Sequence, residues 1–224
     1  MKGKVRGIIT VFAGAYGSGK SEIAVNYAIE CARQNLATVL ADLDLANPYF
    51  VSRDTVSILE QHQIKLLAPD NAKAYGDVPN LPPGIIGILR RNLNTVVDLA
   101  GDKAGALVLG YLARFIDPLQ FRIYLVINPY RPFSWDIQDI ADLKTMLVSY
   151  ARHHICGIVS NPHLVEETDF EVIVQGHLRV AQIAALSGIP VTQLTVPAHL
   201  FEEVRLKYGE IVKKIDLYLR PQWL

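Results

Sequence analysis

A short glycine-rich stretch near the N-terminus has the residue types and spacing to bind phosphate. The pattern G-x-x-x-x-G-K-[ST] is matched by Gly14, Ala15, Tyr16, Gly17, Ser18, Gly19, Lys20 and Ser21. Glycines let the backbone turn with its N–H groups around an anion, and the N-terminus of a following helix adds partial positive charge. Lys20 would then reach the β- and γ-phosphates of a nucleotide, and the Ser21 hydroxyl would bind Mg²⁺. The stretch therefore predicts a P-loop rather than a glycine-rich turn without a ligand.

Acidic residues follow two apolar runs that have the character of buried strands. Asp42 and Asp44 come after the run at residues 37–41, and Asp98 ends the run that begins at residue 94, with Gly101 three residues later. In open parallel sheets, ligands bind outside the carboxyl ends of the strands. There a carboxylate can hold the water shell of Mg²⁺, and a glycine lets a backbone N–H approach a γ-phosphate. A turn or helix cap is the alternative for the aspartate pair, since Asp is common where strands end.

The surrounding pattern predicts the elements that position these residues. An apolar run at residues 7–13 precedes the P-loop, and apolar residues at helical spacing follow it. Strand and helix patterns alternate along the rest of the chain, which predicts an α/β fold with three layers. We expect a mostly parallel, twisted sheet of seven or eight strands with helices on both faces, in a single domain over residues 1–224.

Three further segments give more specific expectations. Residues 69–84 contain four prolines and form the longest stretch without a regular pattern, so we expect a loop that contacts a partner or substrate. The last strand is expected at residues 191–196, and a final helix with an apolar stripe at residues 200–219. His153, His154 and Cys156 are interpreted as structural, because two adjacent histidines before a strand would point in different directions.

Composition excludes some classes of function. The 22 basic and 22 acidic residues balance without a block of like charge, so nothing indicates bulk nucleic-acid binding. No apolar stretch has the length of a membrane span. The short apolar run behind Lys2, Lys4 and Arg6 leads directly into the P-loop, which makes it a strand and not a targeting segment. We expect a cytoplasmic protein whose two cysteines stay reduced.

Several of these motifs together resemble the MinD/ParA-type ATPases, which belong to the SIMIBI group of P-loop NTPases. The resemblance rests on the following features: the P-loop, Asp42-x-Asp44 with Asn47-Pro48 behind it, Asp98-x-x-Gly101, and the late Asn161 and Pro197. It implies Mg²⁺ and ATP as cofactors, with Asp44 near the attacking water and Asp42 and Asp98 in the Mg²⁺ shell. It also implies that Asn161 and the loop at Pro197 surround the base.

One position departs from that family. The family's P-loop has a signature lysine that reaches the nucleotide of the partner subunit, and this chain has Ala15 there. A homodimer would then need another cation, such as Arg53 or Arg131, in place of this lysine; otherwise hydrolysis is slow until a partner helps. The plain loop also resembles that of the GTP-using metallochaperones of hydrogenase and urease maturation. ATP is favoured because the sequence has neither an N-K-x-D or T-K-x-D guanine motif nor a Cys/His ligand spacing.

Two classes of function remain open at this point. The first is an ATPase that acts as a nucleotide-dependent switch, or as an assembly or maturation factor, for an unidentified protein partner. The second is an ATP-dependent synthetase or transferase for a small molecule, similar to dethiobiotin synthetase or cobyrinate synthase. The aspartate pair followed by Asn-Pro is closer to the MinD/ParA pattern and favours the switch.

Overall fold

The computed structural model describes residues 7–44, 53–69, 81–91, 93–132 and 136–219. In this part of the chain the strands are β1 (Ile9–Gly14), β2 (Thr38–Leu43), β3 (Lys65–Leu67), β4 (Asn94–Ala100), β5 (Phe121–Ile127), β6 (Gly157–Ser160), β7 (Val191–Pro197) and β8 (Val212–Ile215). The helices are α1 (Lys20–Arg33), α2 (Arg53–Gln61), α3 (Ile85–Leu89), α4 (Lys103–Ala113), α5 (Ile137–Ala151), α6 (Phe170–Ser187) and α7 (Phe201–Tyr208).

The strands form a single eight-stranded sheet in the order β3-β2-β4-β1-β5-β6-β7-β8. All of its neighbouring strands pair in parallel. Such a sheet is stable only when both faces are covered, and all six residues of β1 are accordingly buried. The predicted parallel sheet with helices on both faces is confirmed.

Side chains on β1 alternate between two apolar cores, one on each face. Val11 and Ala13 join a core with α4 and α5, which contribute Leu109 and Leu147. Phe12 lies in the second core, on the face covered by α1 and α2. Because successive strand residues point to opposite faces, this alternation fixes the register of β1.

The three strands that carry the predicted chemistry end at the same edge of the sheet. Gly14 of β1 is opposite Ala100 of β4. Asp42 of β2 is in turn opposite Asp98 of β4. Parallel pairing in this register brings both acids beside the start of the P-loop.

The end of the chain differs from the prediction. The final helix, expected over residues 200–219, is α7 and ends at Tyr208, and the chain then forms β8 beside β7. Gly209 ends the helix with a φ of 70°, a conformation that glycine adopts without strain. Val212 and Ile215 are buried while the two lysines between them are exposed, a common pattern for an edge strand. Pairing with β7 therefore outweighs the helical spacing of the apolar residues.

Two predicted segments lie outside the described residues. One contains Asn47-Pro48, and the other is most of the expected loop over residues 69–84, of which residues 70–80 are not described. The short helix α3 follows that loop and was not expected from the sequence. Among the helices of the described part, none is both long enough and apolar enough to cross a membrane.

Candidate nucleotide-binding site

The predicted P-loop connects β1 to α1 in the conformation that its glycines permit. Gly17 and Gly19 have φ values of 76° and 86°, in the left-handed region that disfavours residues with a Cβ atom. The N–H of Ser18 donates to the carbonyl oxygen of Ala15 at 3.1 Å, which closes the loop on itself. Helix α1 then begins at Lys20, so its N-terminus faces the space above the loop.

Gly101 lies against the first residue of this loop. A Cβ atom at Gly101 would lie 2.1 Å from the carbonyl oxygen of Gly14 and 2.8 Å from the nitrogen of Ala15. Only a glycine allows β4 to approach the P-loop backbone so closely. The suggestion that Gly101 also contacts a γ-phosphate stays a prediction.

Asn161 holds the P-loop from the other side. Its Nδ2 donates to the carbonyl oxygen of Ser18 at 2.8 Å, and its Oδ1 accepts from the Thr195 hydroxyl at 2.7 Å. A Cβ atom at Gly19 would lie 2.2 Å from the same Nδ2. The buried Asn161 therefore positions the loop. It also lines the adjoining cavity, so its predicted place near a base stays a prediction.

The predicted lysine and the three predicted acids come together beside the loop. Lys20 Nζ lies 2.6 Å from Asp44 Oδ2, and both side chains are buried. Asp42 Oδ1 accepts a hydrogen bond from the backbone N–H of Asp44 at 3.1 Å. The Ser21 hydroxyl lowers the pKa of Asp98, whose Oδ1 has no hydrogen-bond partner among the described residues.

Burial makes two of these carboxylates harder to ionise than usual. It raises the pKa of Asp42 to about 6, against the lowering effects of the Asp44 N–H and of Lys20. Burial also raises the pKa of Asp98 to about 7, partly offset by Lys20 and Ser21. A divalent cation would stabilise the ionised form of both carboxylates. The oxygen donors of Ser21, Asp42 and Asp98, with a buried Asp98 oxygen lacking a partner, fit Mg²⁺.

A cavity of about 620 Å³ opens beside the P-loop and is large enough for a nucleoside. Its walls come from the P-loop and α1, from the segments that follow β5 and β6, and from the end of the chain. The lining residues outside the P-loop are Glu22, Asn128, Arg131, Pro132, Asn161, His163, Val165, Ile215, Leu217 and Leu219. The aliphatic part of Arg131 packs over Gly17, whose Cβ position would lie 3.5 Å from Arg131 Cγ.

Residues 216–219, which we call the C-terminal strap, form one wall of the cavity by binding to α1. The side-chain amide of Asn26 donates to the carbonyl oxygen of Asp216 and accepts from its N–H, at 2.8 and 2.9 Å. The carboxylate of Glu22 accepts from the backbone N–H groups of Tyr218 and Leu219, the latter at 3.2 Å. Burial raises the pKa of Glu22 to about 7.

Comparison with known proteins adds evidence on the fold. No family model matches the chain, and no curated protein matches its sequence. Among solved structures, the cell division protein FtsY of Thermotoga maritima is 17% identical with a TM-score of 0.55, over 85% of this chain and 62% of that one. Chloroplast FtsY of Physcomitrella patens is 14% identical with a TM-score of 0.55, over 87% and 60%. FtsY of Mycoplasma mycoides is 15% identical with a TM-score of 0.51, over 86% and 61%.

The fold is that of a P-loop NTPase. At these identities the likeness concerns the fold alone, and this chain spans about three fifths of the length of each FtsY chain. The SIMIBI group expected from the sequence is a finer assignment than this likeness of fold, and it stays a prediction. The narrower MinD/ParA assignment remains part of the proposal below.

In this P-loop NTPase fold, most of the predicted site residues meet at one edge of the sheet, and Pro197 is not among the residues that line the cavity found there. The same space is surrounded by residues 14–21, the three acids, Gly101 and Asn161. Pro197 ends β7 opposite Ile215, and the cavity lining drawn from the described residues does not include it. Its predicted contact with the base stays a prediction.

Several residues that line the site were not predicted from the sequence. Asn128 follows β5 in an Asn-Pro pair, as Asn161 does after β6, and this repeat was the available signal. Glu22 directly follows the P-loop, but nothing in its local sequence indicates the C-terminal strap. Ile215, Leu217 and Leu219 were expected on a helix, so their place in the cavity wall was not foreseeable.

Proposed function

We propose that the protein is a Mg²⁺- and ATP-binding P-loop ATPase of MinD/ParA-like type that acts as a nucleotide-dependent switch or as an assembly or maturation factor. One observation carries the proposal. Lys20, Ser21 and three buried aspartates meet at one edge of the sheet, beside a cavity of nucleoside size. Stabilising a transferred phosphoryl group needs this combination of a lysine, a metal site and a water-positioning acid.

Ser21, Asp42 and Asp98 are the residues that would hold Mg²⁺. Mg²⁺ bound there supplies positive charge to the phosphates and lowers the pKa of the two carboxylates. Buried carboxylates with raised pKa values bind a proton at mildly acidic pH, so a dication competes with protons for this site. The unsatisfied oxygen of Asp98 is the feature that best supports a ligand here.

Lys20 and Asp44 would have different roles at the γ-phosphate. Lys20 lies within reach of both the P-loop and Asp44, so a phosphate oxygen competes with Asp44 for its ammonium group. Asp44 follows the end of β2, at the edge where the water must attack, and serves as the acceptor that orients this water. A shift of Lys20 from Asp44 to phosphate would then couple nucleotide binding to the segment that follows β2.

The chemistry of the cavity wall favours adenine over guanine. Guanine offers N–H groups that are best met by a carboxylate, which accepts only. Among the described lining residues, the one carboxylate is Glu22, and its oxygens already accept from the C-terminal strap. The apolar surfaces of Val165, Leu217 and Leu219 instead suit the flat face of a purine, and Asn128 offers polar atoms nearby.

Arg131 is the described cation best placed to replace the missing signature lysine. It lies beside Gly17 and lines the cavity mouth, whereas Ala15 supplies no charge. Guanidinium groups bind phosphate oxygens in pairs and stabilise charge at the transition state.

Arg131→Ala should therefore lower kcat by about 100-fold, within the range for loss of an arginine finger, with a smaller effect on ATP affinity. Arg90 is an exposed arginine after α3, and the variant Arg90→Ala is the matched control.

The first experiment measures phosphate release from Mg²⁺·ATP and from Mg²⁺·GTP over a wide range of protein concentration. Lys20→Ala is the blank and should abolish nucleotide binding or turnover. Asp44→Asn should keep ATP bound within about threefold of the wild-type affinity while lowering kcat by about 100-fold. A rate per molecule that rises with concentration would support a homodimer in which one subunit completes the site of the other.

Other outcomes would contradict the proposal or favour its alternative. Tighter binding of GTP than of ATP would overturn the base assignment. Unchanged ATP binding in Lys20→Ala would contradict the P-loop site itself. Negligible turnover at every concentration, with ATP still bound, would favour the synthetase or transferase alternative, in which a small carboxylate substrate accepts the phosphoryl group.

A further inference from the structure

Three potential metal ligands lie together at the edge of the sheet opposite the P-loop. His153, His154 and Cys156 belong to the segment that joins α5 to β6. One ligand atom from each side chain lies within 4.8 Å of the corresponding atoms of the other two. The two adjacent histidines were expected to point in different directions, and that expectation is wrong.

The backbone explains why the two histidine rings face each other. Helix α5 ends at Ala151, and Arg152 then adopts a left-handed conformation with a φ of 51°. Its N–H donates to the carbonyl oxygen of Val148 at 2.9 Å, which caps the helix and turns the chain. The rings of His153 and His154 consequently lie 4.6 Å apart at an angle of 35°.

Two of the three ligands are held in place by β5. The ring of His153 stacks on the buried Phe121 at 4.9 Å, and its Nε2 lies 3.0 Å from the Phe121 carbonyl oxygen. Because a carbonyl oxygen only accepts, this Nε2 carries the proton and the lone pair remains on Nδ1. The N–H of Cys156 donates to the carbonyl oxygen of Ile123 at 2.7 Å. A backbone carbonyl bound to the second nitrogen of a histidine is the usual support for a metal ligand.

We propose that His153, His154 and Cys156 bind one transition-metal cation of borderline or soft character, such as Zn²⁺. Imidazole nitrogens and thiolate sulfur are the ligands that such ions prefer, and Mg²⁺ avoids them. His154 Nε2 lies 3.8 Å from Cys156 Sγ. A tetrahedral zinc with usual bond lengths would separate a nitrogen and a sulfur ligand by about 3.6 Å, so this pair already has the spacing required.

Two ligands of the proposed site are half-buried and the third is exposed to solvent. His154 is exposed, while His153 and Cys156 are half-buried. Three protein ligands leave a fourth position for water or for a group from another molecule. The guanidinium of Arg122 also donates to the Phe121 carbonyl oxygen, at 2.8 Å. Its positive charge opposes a cation nearby, and the thiolate formed at Cys156 on metal binding offsets it.

The test uses Co²⁺ as a spectroscopic probe of the full-length, reduced protein, with excess Mg²⁺ present to occupy oxygen-rich sites. We expect one equivalent of Co²⁺ to bind with a thiolate-to-cobalt charge-transfer band, and Zn²⁺ to displace it. Cys156→Ser should remove that band, and His154→Ala should weaken Co²⁺ binding by at least about tenfold. Circular dichroism of each variant checks that the fold is retained.

Matched controls separate this site from other cysteines and histidines. Cys31→Ser changes the buried cysteine of α1, and His199→Ala changes an exposed histidine after β7, so both should keep the Co²⁺ spectrum. As a second measurement in the Cys31→Ser background, Zn²⁺ should slow alkylation of Cys156 by at least about tenfold. Absence of the charge-transfer band in the wild-type protein, its persistence in Cys156→Ser, or equal alkylation with and without Zn²⁺ would each overturn the proposal.

Discussion

Lys20 Nζ lies 2.6 Å from Asp44 Oδ2, and the two side chains form a buried ion pair between the P-loop helix and the end of β2. Removing both charges of a buried pair is often nearly neutral for stability, whereas removing one leaves the other charge in a poorly solvated place. The same pair is also the point where we propose that phosphate binds. Stability and nucleotide binding should therefore respond differently to changes at these two residues.

Lys20→Met should lower the free energy of unfolding by about 3 kcal/mol without nucleotide, because it removes the ammonium that balances the buried Asp44 carboxylate. In the double variant Lys20→Met/Asp44→Asn, at least about 2 kcal/mol should return, since the unpaired charge of Asp44 is removed as well. Urea denaturation of the two variants and the wild type measures both effects. Isothermal titration should show that neither variant binds ATP.

Lys65→Met, at an exposed position of β3, serves as the control and should leave both stability and ATP binding unchanged. A double variant as unstable as Lys20→Met would contradict the ion-pair argument. ATP binding that recovers together with stability would instead mean that Lys20 does not contact phosphate.

The raised pKa of Asp98 predicts that the stability of the protein depends on pH in the absence of Mg²⁺ and nucleotide. Its pKa is about 7 in the folded protein against an ordinary value of 3.8, so the folded state binds a proton more tightly than the unfolded chain. This contribution to stability is fully present below about pH 4 and is lost as the pH rises through about 7. Unfolding measured between pH 4 and pH 8 should show stability falling with rising pH.

Asp98→Asn should reduce this slope and stabilise the protein at pH 8. Part of the slope will remain, because the pKa values of Asp42 and Glu22 are raised in the same direction. Saturating Mg²⁺ with nucleotide should reduce the slope in the wild type, since bound metal favours the ionised carboxylates. A slope that is the same in the wild type and in Asp98→Asn would show that Asp98 ionises normally.

Gly101 should tolerate no side chain. In Gly101→Ala the added Cβ atom would meet the carbonyl oxygen of Gly14 at 2.1 Å, so β4 or the P-loop backbone must move. We expect a loss of about 2 kcal/mol in the free energy of unfolding and a marked fall in ATP affinity. Thermal unfolding with and without Mg²⁺·ATP measures both quantities.

Gly87→Ala provides the matched comparison. Gly87 lies within α3, and a Cβ atom there meets nothing within 4 Å. Alanine favours the helix over glycine, so this variant should be unchanged or more stable by up to about 1 kcal/mol. Equal effects of the two substitutions would show that the approach of Gly101 to Gly14 is not what requires the glycine.

Glu22 should act as a positioning residue through the C-terminal strap. Glu22→Gln keeps the size of the side chain but replaces one acceptor oxygen with an N–H donor, which faces a backbone N–H of the strap. The wall formed by Leu217 and Leu219 should loosen, and ATP affinity should fall about tenfold, equivalent to about 1.4 kcal/mol. The value of kcat at saturating ATP should stay within about twofold, because Lys20 and Asp44 are untouched.

Glu30→Gln, at an exposed position of the same helix, is the control for Glu22 and should leave ATP affinity unchanged. Limited proteolysis should also cut the end of the chain faster in Glu22→Gln than in Glu30→Gln. If kcat falls while affinity is kept, Glu22 takes part in the reaction itself and does not act through the strap.

The P-loop and the parallel sheet were predictable because their signals are local. Gly17 and Gly19 adopt the positive φ angles that their glycine identity permits. The acids at residues 42 and 98 lie at the same edge of the sheet, as expected from the rule that parallel strands present their carboxyl ends together. These inferences needed only the types and spacing of neighbouring residues.

Tertiary structure alone decided the features that join distant parts of the chain. Leu219 binds Glu22 across 197 residues, and Asn161 supports Ser18 across 143. The segment of β8 has a helical spacing of apolar residues, yet it pairs with β7. His153 and His154 face each other because Arg152 turns the chain and Phe121 holds one ring. Local sequence records backbone preferences, but such contacts depend on which surfaces the packed sheet brings together, because burial and pairing outweigh weak local propensities.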